Sequence, residues 1–65
     1  MTVKQARAIL DAEQELEIIG AGGPDCNPGT AWNDYVREAI DVIDATEGYW
    51  GNYNDLKMVK EYKGI

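Results

Sequence analysis

Sixty-five residues is close to the smallest chain in which one hydrophobic core offsets chain entropy, so the length predicts a single small domain, residues 1–65. Twelve acidic against six basic side chains give a net charge of -6, the wrong sign for gripping a phosphate backbone, and a 45% hydrophobic content with two Trp and four Tyr argues against a disordered chain. No stretch reaches the roughly 20 apolar residues of a membrane span, and the lone cysteine, Cys26, closes no internal bridge, so the expectation is a cytoplasmic protein without a membrane role.

In chain order, Thr2 offers an N-cap, Val3 to Ile19 contain neither Pro nor Gly, and Gly20 offers a left-handed terminator, which predicts a helix over 3–19. At 100° per residue Val3, Ala6, Ile9, Leu10 and Leu16 share one broad side, with Lys4, Arg7, Asp11 and Glu15 opposite. Glu13 breaks the pattern by pointing into the apolar sector. Two readings follow: a rotated second half in which Ala12, Leu16 and Ile19 take over the stripe, or a semi-buried carboxylate with a partner.

Residues 20–30 carry four Gly and two Pro and read as an interhelical loop. The glycines do not make a nucleotide site: no Lys follows Gly23 or Gly29, and Gly20-Ala21-Gly22 follows a helix where a dinucleotide fingerprint follows a strand. A calcium loop opening at Asp25, with Asn27 and Gly29, fails because Val36 stands where the bidentate Glu is needed.

A second helix over 29–47 is predicted, capped by Asn27 or Thr30, with Pro28 in its first turn if Asn27 is the cap. Trp32, Tyr35, Val36, Ala39, Ile40 and Ile43 form its apolar stripe, and Gly48 is the expected stop. A connector with Tyr49, Trp50 and Tyr53 leads to a short helix over 55–63, capped by Asn54 or Asp55, with Leu56, Met58, Val59 and Tyr62 inward. The predicted fold is therefore all-α, a small three-helix domain with two longer helices joined by a Gly/Pro loop, enclosing Leu10, Leu16, Trp32, Val36, Ile40, Ile43, Leu56 and Val59 and open to oligomerisation.

Chemistry is sparse. Histidine is absent, Cys26 has Asp25 and no base beside it, and the carboxylate pairs (Glu13 with Glu17; Asp34, Glu38 and Asp41) sit at helical spacings that read as solvated faces, so no catalytic residue, metal site or cofactor is expected and the chain is read as a non-enzyme. Charge is uneven: residues 1–55 hold eleven acids and three bases, residues 56–65 one acid and three bases. Asp34, Glu38, Asp41 and Asp44, relieved only by Arg37, form an acidic ridge on the second helix that either solubilises the domain or docks on a basic partner.

Tyr49, Trp50 and Tyr53 crowd a connector too short to bury all three, and aromatic residues favour binding hot spots; Trp50 either closes the core or meets a partner. The candidate partner-binding residues are thus Asp34, Glu38, Asp41, Asp44, Tyr49, Trp50 and Tyr53. These features suggest a small regulator or inhibitor, of a phage-like kind that imitates nucleic acid, binding a larger protein with a basic surface and not nucleic acid itself. Two rival readings are a homo-oligomeric assembly subunit and a small-nucleotide sponge that gathers Lys4, Arg7, Arg37 or the terminal lysines at a subunit interface.

Overall fold

Thr2 and Gln5 open the chain with a reciprocal cap: the Gln5 N–H donates to the Thr2 hydroxyl at 3.1 Å and the Thr2 N–H to Gln5 Oε1 at 2.8 Å. From there helix α1 runs Val3–Ile18 in the computed structural model, which describes residues 1–47 and 51–64. Gly20, at φ 81°, ends it: its N–H donates to the Glu17 carbonyl at 3.2 Å and that of Ala21 to the Leu16 carbonyl at 2.8 Å, a paired closure that needs a left-handed residue at this point.

Helix α2 spans Ala31–Glu47 and begins two residues later than predicted. Thr30, not Asn27, is the cap: its hydroxyl accepts from the Asn33 N–H at 3.3 Å. Asn27 instead offers its carbonyl to the Thr30 N–H, the Thr30 hydroxyl and the Asn33 side-chain amide, so Pro28 lies in a turn before the helix. A 3₁₀ turn, Gly51–Asp55, precedes helix α3, Lys57–Lys63, which ends at Gly64 with φ 73°. No strand occurs among the described residues. No helix among them is long and apolar enough to cross a membrane. The all-helical, three-helix architecture is as predicted; Gly48, Tyr49 and Trp50 lie outside the described residues.

The antiparallel pair α1 and α2 makes most of the fold. Its core is Ala6, Leu10, Val36, Ala39, Ile40 and Ile43, closed by Tyr53, Leu56, Met58 and Val59 from the C-terminal segment, all buried. Four expectations need correction. Tyr35 is 56% exposed, because at the rim of the α2 stripe it overhangs a groove that no element among the described residues fills. Tyr62 is 42% exposed and reaches across the surface instead of inward. Leu16 and Trp32 are half-buried at the edge of the core. Asn54 and Asp55 do not cap α3: the 3₁₀ turn carries the chain past them and Leu56 takes the cap position with its side chain in the core.

Candidate functional site

Two sets of carboxylates organise this molecule. On α1, Glu13 is fully buried. Its Oε2 accepts from the Gly23 N–H at 2.7 Å and its Oε1 from the Trp32 indole at 2.8 Å, so one side chain ties α1 to the glycine loop and to the start of α2. The partnered-carboxylate reading of Glu13 is therefore the right one; Ala12 and Ile19, which a rotated helix would bury, are exposed. One turn on, Glu17 accepts the Lys57 N–H at 2.7 Å and the Met58 N–H at 3.3 Å, supplying from α1 the cap that α3 lacks in its own sequence.

Close packing of loop on helix makes this possible. A Cβ at Gly22 would lie 2.7 Å from the Glu17 backbone nitrogen and 3.0 Å from Glu13 Oε2. Gly22 is thus the only residue type that lets the loop lie against both carboxylates. Burial, then a hydrogen bond to the Glu13 carboxyl, raises the pKa of Glu17, against the lowering effect of the two backbone N–H groups. Asp11, farther round α1, accepts from the Tyr53 hydroxyl at 2.5 Å; burial and then this bond raise the Tyr53 pKa.

On α2 the four predicted ridge residues are brought to one outer side, but with different engagements. Asp34 meets Arg37 at 3.4 Å and Glu38 meets the N-terminal ammonium at 3.9 Å, with side chains 77% and 58% exposed. Asp41 accepts from the Tyr62 hydroxyl at 3.0 Å and Asp44 pairs with Lys63 Nζ at 2.8 Å, so these two fasten α3. The bond to Asp41 raises the Tyr62 pKa and that to Asp44 raises the Lys63 pKa. Of the predicted aromatic residues, Tyr53 is 7% exposed and belongs to the core wall; Tyr49 and Trp50 are outside the described residues. Tyr35, expected inside, is an exposed aromatic residue beside the ridge, as is Tyr62.

The α1–α2 pair has two flanks. One holds the C-terminal segment through Asp11, Glu17, Asp41 and Asp44. The other is an open groove, with a hollow of about 380 Å³ lined by Met1, Gln5, Ala8, Ile9, Tyr35 and Glu38. Cys26 is exposed, its thiol 3.7 Å from the Gly20 carbonyl. No group of His, Cys, Asp and Glu among the described residues could hold a metal ion. Comparison of this chain with protein families, curated proteins and solved structures finds no match.

Proposed function

We propose that this chain is a small acidic regulator or inhibitor without catalytic activity, which acts by occupying a basic surface on a larger protein. One observation carries the reading: Asp34 and Glu38 project from a rigid helix with most of their surface in water, and the ion pairs they make among the described residues are long and weak, 3.4 and 3.9 Å. Such carboxylates shed little interaction energy on meeting a partner's Lys or Arg, and a net charge of -6 adds long-range attraction to a basic face. Asp41 and Asp44 extend the same negative side while also bracing α3, which holds it in place. Repeated carboxylates on a fixed scaffold are also what an imitation of a phosphate backbone requires.

The test is capture of a partner from the native cell extract by the tagged chain, followed by binding kinetics on the purified pair. Association is expected to slow on replacing Asp34→Lys with Glu38→Lys, and to weaken as salt is raised past the point where the screening length falls below about 8 Å. Equal affinity at low and high salt, with no effect of the double substitution, would remove the electrostatic basis of the proposal.

A further inference from the structure

On one flank of the α1–α2 pair the chain fastens its own third helix, and the manner of fastening is instructive. Met58 and Val59 are buried against the pair, while outward carboxylates of α2 take the polar ends of α3: Asp44 meets Lys63 Nζ at 2.8 Å and Asp41 accepts from the Tyr62 hydroxyl at 3.0 Å. The opposite flank offers the same pairing of an apolar recess with an α2 carboxylate, and no helix among the described residues uses it. Its recess is the hollow of about 380 Å³, where Ala8 and Tyr35 are exposed walls and Ile9, whose inner side packs on the core, is the floor. Tyr35 is an exposed aromatic on a rigid helix, a type of side chain that anchors protein contacts at little cost in entropy. Among the lining residues the charged side chain is Glu38, one turn beyond Tyr35, and Asp34 lies one turn before Glu38. The N-terminal ammonium reaches Glu38 at 3.9 Å and Arg37 reaches Asp34 at 3.4 Å, pairs that a closer cation displaces at little cost.

Shape and charge together define the occupant. A cleft between antiparallel helices of 16 and 17 residues runs about 24 Å at a rise of 1.5 Å per residue, and a helix laid along it is the natural filler. Side chains three or four apart share one face of such a helix. An apolar residue that enters the hollow therefore brings the residue one turn away alongside Glu38, where a Lys or Arg makes the shorter pair. An acid in that place would meet Glu38 with repulsion, and a second copy of this chain, also at a net charge of -6, would approach against the same field.

We infer that the groove between α1 and α2 binds a basic amphipathic helix of the partner protein, with an apolar side chain in the hollow against Tyr35 and Ile9 and a Lys or Arg one turn away on Glu38. The inference rests on the proposed regulatory reading and adds two things to it: the partner's basic surface is a helix, and the contact is anchored by Tyr35 as well as steered by charge.

A synthetic helix of about 18 residues, with Leu at spacings of three and four and Lys beside them, is the probe, titrated into the full chain by calorimetry and followed by amide shifts in NMR. It is expected to bind with a Kd below about 100 µM and to shift the amides of Ala8, Ile9, Tyr35 and Glu38. Tyr35→Ala, at an exposed position and with a better helix former, is expected to keep the helical circular dichroism and to weaken binding about tenfold. Glu38→Gln is expected to weaken it about threefold and to lessen its salt dependence. A probe with Ala in place of Leu and its charge kept is expected to bind about tenfold less tightly or worse. If that probe binds as well as the first and Tyr35→Ala changes nothing, the groove is not the site and the inference falls, while the acidic ridge and the regulatory reading stand. If a probe with Glu in place of Lys binds equally well and salt has no effect, the basic occupant falls and the regulatory reading with it. Shifts confined to the α3 flank, or no binding at about 1 mM, overturn the inference. Self-association of the chain that Tyr35→Ala abolishes overturns it too, by placing a second copy in the groove.

Discussion

The carboxylates of α1 and those of α2 are the same chemical group put to opposite uses. Glu13, Glu17 and Asp11 turn toward their own chain, where each accepts from a donor that lies far along the sequence: Gly23 and Trp32, Lys57 and Met58, Tyr53. Asp34 and Glu38 turn to water and, among the described residues, pair with an Arg one turn away and with the chain terminus. The difference is one of partner type. Backbone N–H groups at a loop and a helix start are fixed in direction and costly to leave without an acceptor, so a carboxylate aimed at them becomes structural. Ion pairs of 3.4 and 3.9 Å that leave the carboxylate itself mostly in water add little, so a carboxylate held only that loosely stays available. Asp41 and Asp44 stand between these limits, outward in direction but bonded to Tyr62 and Lys63.

The sharpest way to break this comparison is to remove an inner carboxylate. Glu13→Leu keeps the volume roughly constant and deprives the Gly23 N–H and the Trp32 indole of their acceptor. The buried Gly23 N–H so stranded costs about 1–3 kcal/mol and the half-buried indole, which can turn to water, less, so a loss of about 2 kcal/mol or more is expected, a large share of what a domain of this size holds. Thermal or urea unfolding followed by circular dichroism measures it. A melting curve matching that of the unaltered chain would mean that Glu13 is merely tolerated in the core.

Glu17 gives a smaller effect with a pH signature. Glu17→Ala leaves the first N–H groups of α3 without a cap and is expected to cost about 1–2 kcal/mol. Glu17→Gln keeps one acceptor, for the Lys57 N–H, and loses the one that serves the Met58 N–H, while its amide N–H can donate to the Glu13 carboxylate, so its loss should be smaller than that of Glu17→Ala. The two also differ from the unaltered chain in pH response. With the folded pKa of Glu17 raised above its ordinary 4.5, the folded state binds more proton than the unfolded state between that value and the raised one. The contribution of Glu17 to stability is therefore greatest below 4.5 and declines as pH rises through the raised value. Unfolding free energies measured from acid to neutral pH should show this decline, and Glu17→Gln should lack it; a decline of equal size in Glu17→Gln would assign it to another group.

Much of this fold was legible locally. Thr2 as a cap, Gly20 as a terminator and the stripe from Val36 to Ile43 each depend on residues within one or two turns, and each stands as read. What escaped is long-range. Glu17 spaced four from Glu13 reads as a solvated pair because its real partners, Lys57 and Met58, are some forty positions away, and nothing in the spacing announces them. A signal did exist at Glu13, an acid in an apolar sector followed by a Gly22-Gly23 pair able to approach it. Tyr35 escaped for the converse reason: its spacing places it on the α2 stripe, but that stripe is broader than the surface α1 covers. The ridge of α2 was read correctly as outward-facing, while the bonds of Asp41 and Asp44 to α3 depend on a packing angle that the residues of α2 alone do not contain.

The smallest expected effect is on the outer carboxylates, where the comparison demands almost none. Asp34→Asn with Glu38→Gln removes two negative charges and the two long ion pairs, to Arg37 and to the N-terminus. Exposed pairs of this kind contribute about 0.2–1 kcal/mol at most, and one opposing gain comes from relieving self-repulsion in a chain of net charge -6. Asp34 also sits in the first turn of α2, where its charge favours the helix dipole by about 0.3–1 kcal/mol, so neutralising it gives back some of that gain. These terms nearly cancel, and the double variant should unfold within about 0.5 kcal/mol of the unaltered chain. Unfolding measured at low and high salt checks the balance, since screening should shrink both opposing electrostatic terms and leave the difference between the two chains smaller still. A loss comparable with that of Glu13→Leu would make the outer carboxylates structural like the inner ones, and would take from them the freedom to meet a partner on which the proposed function depends.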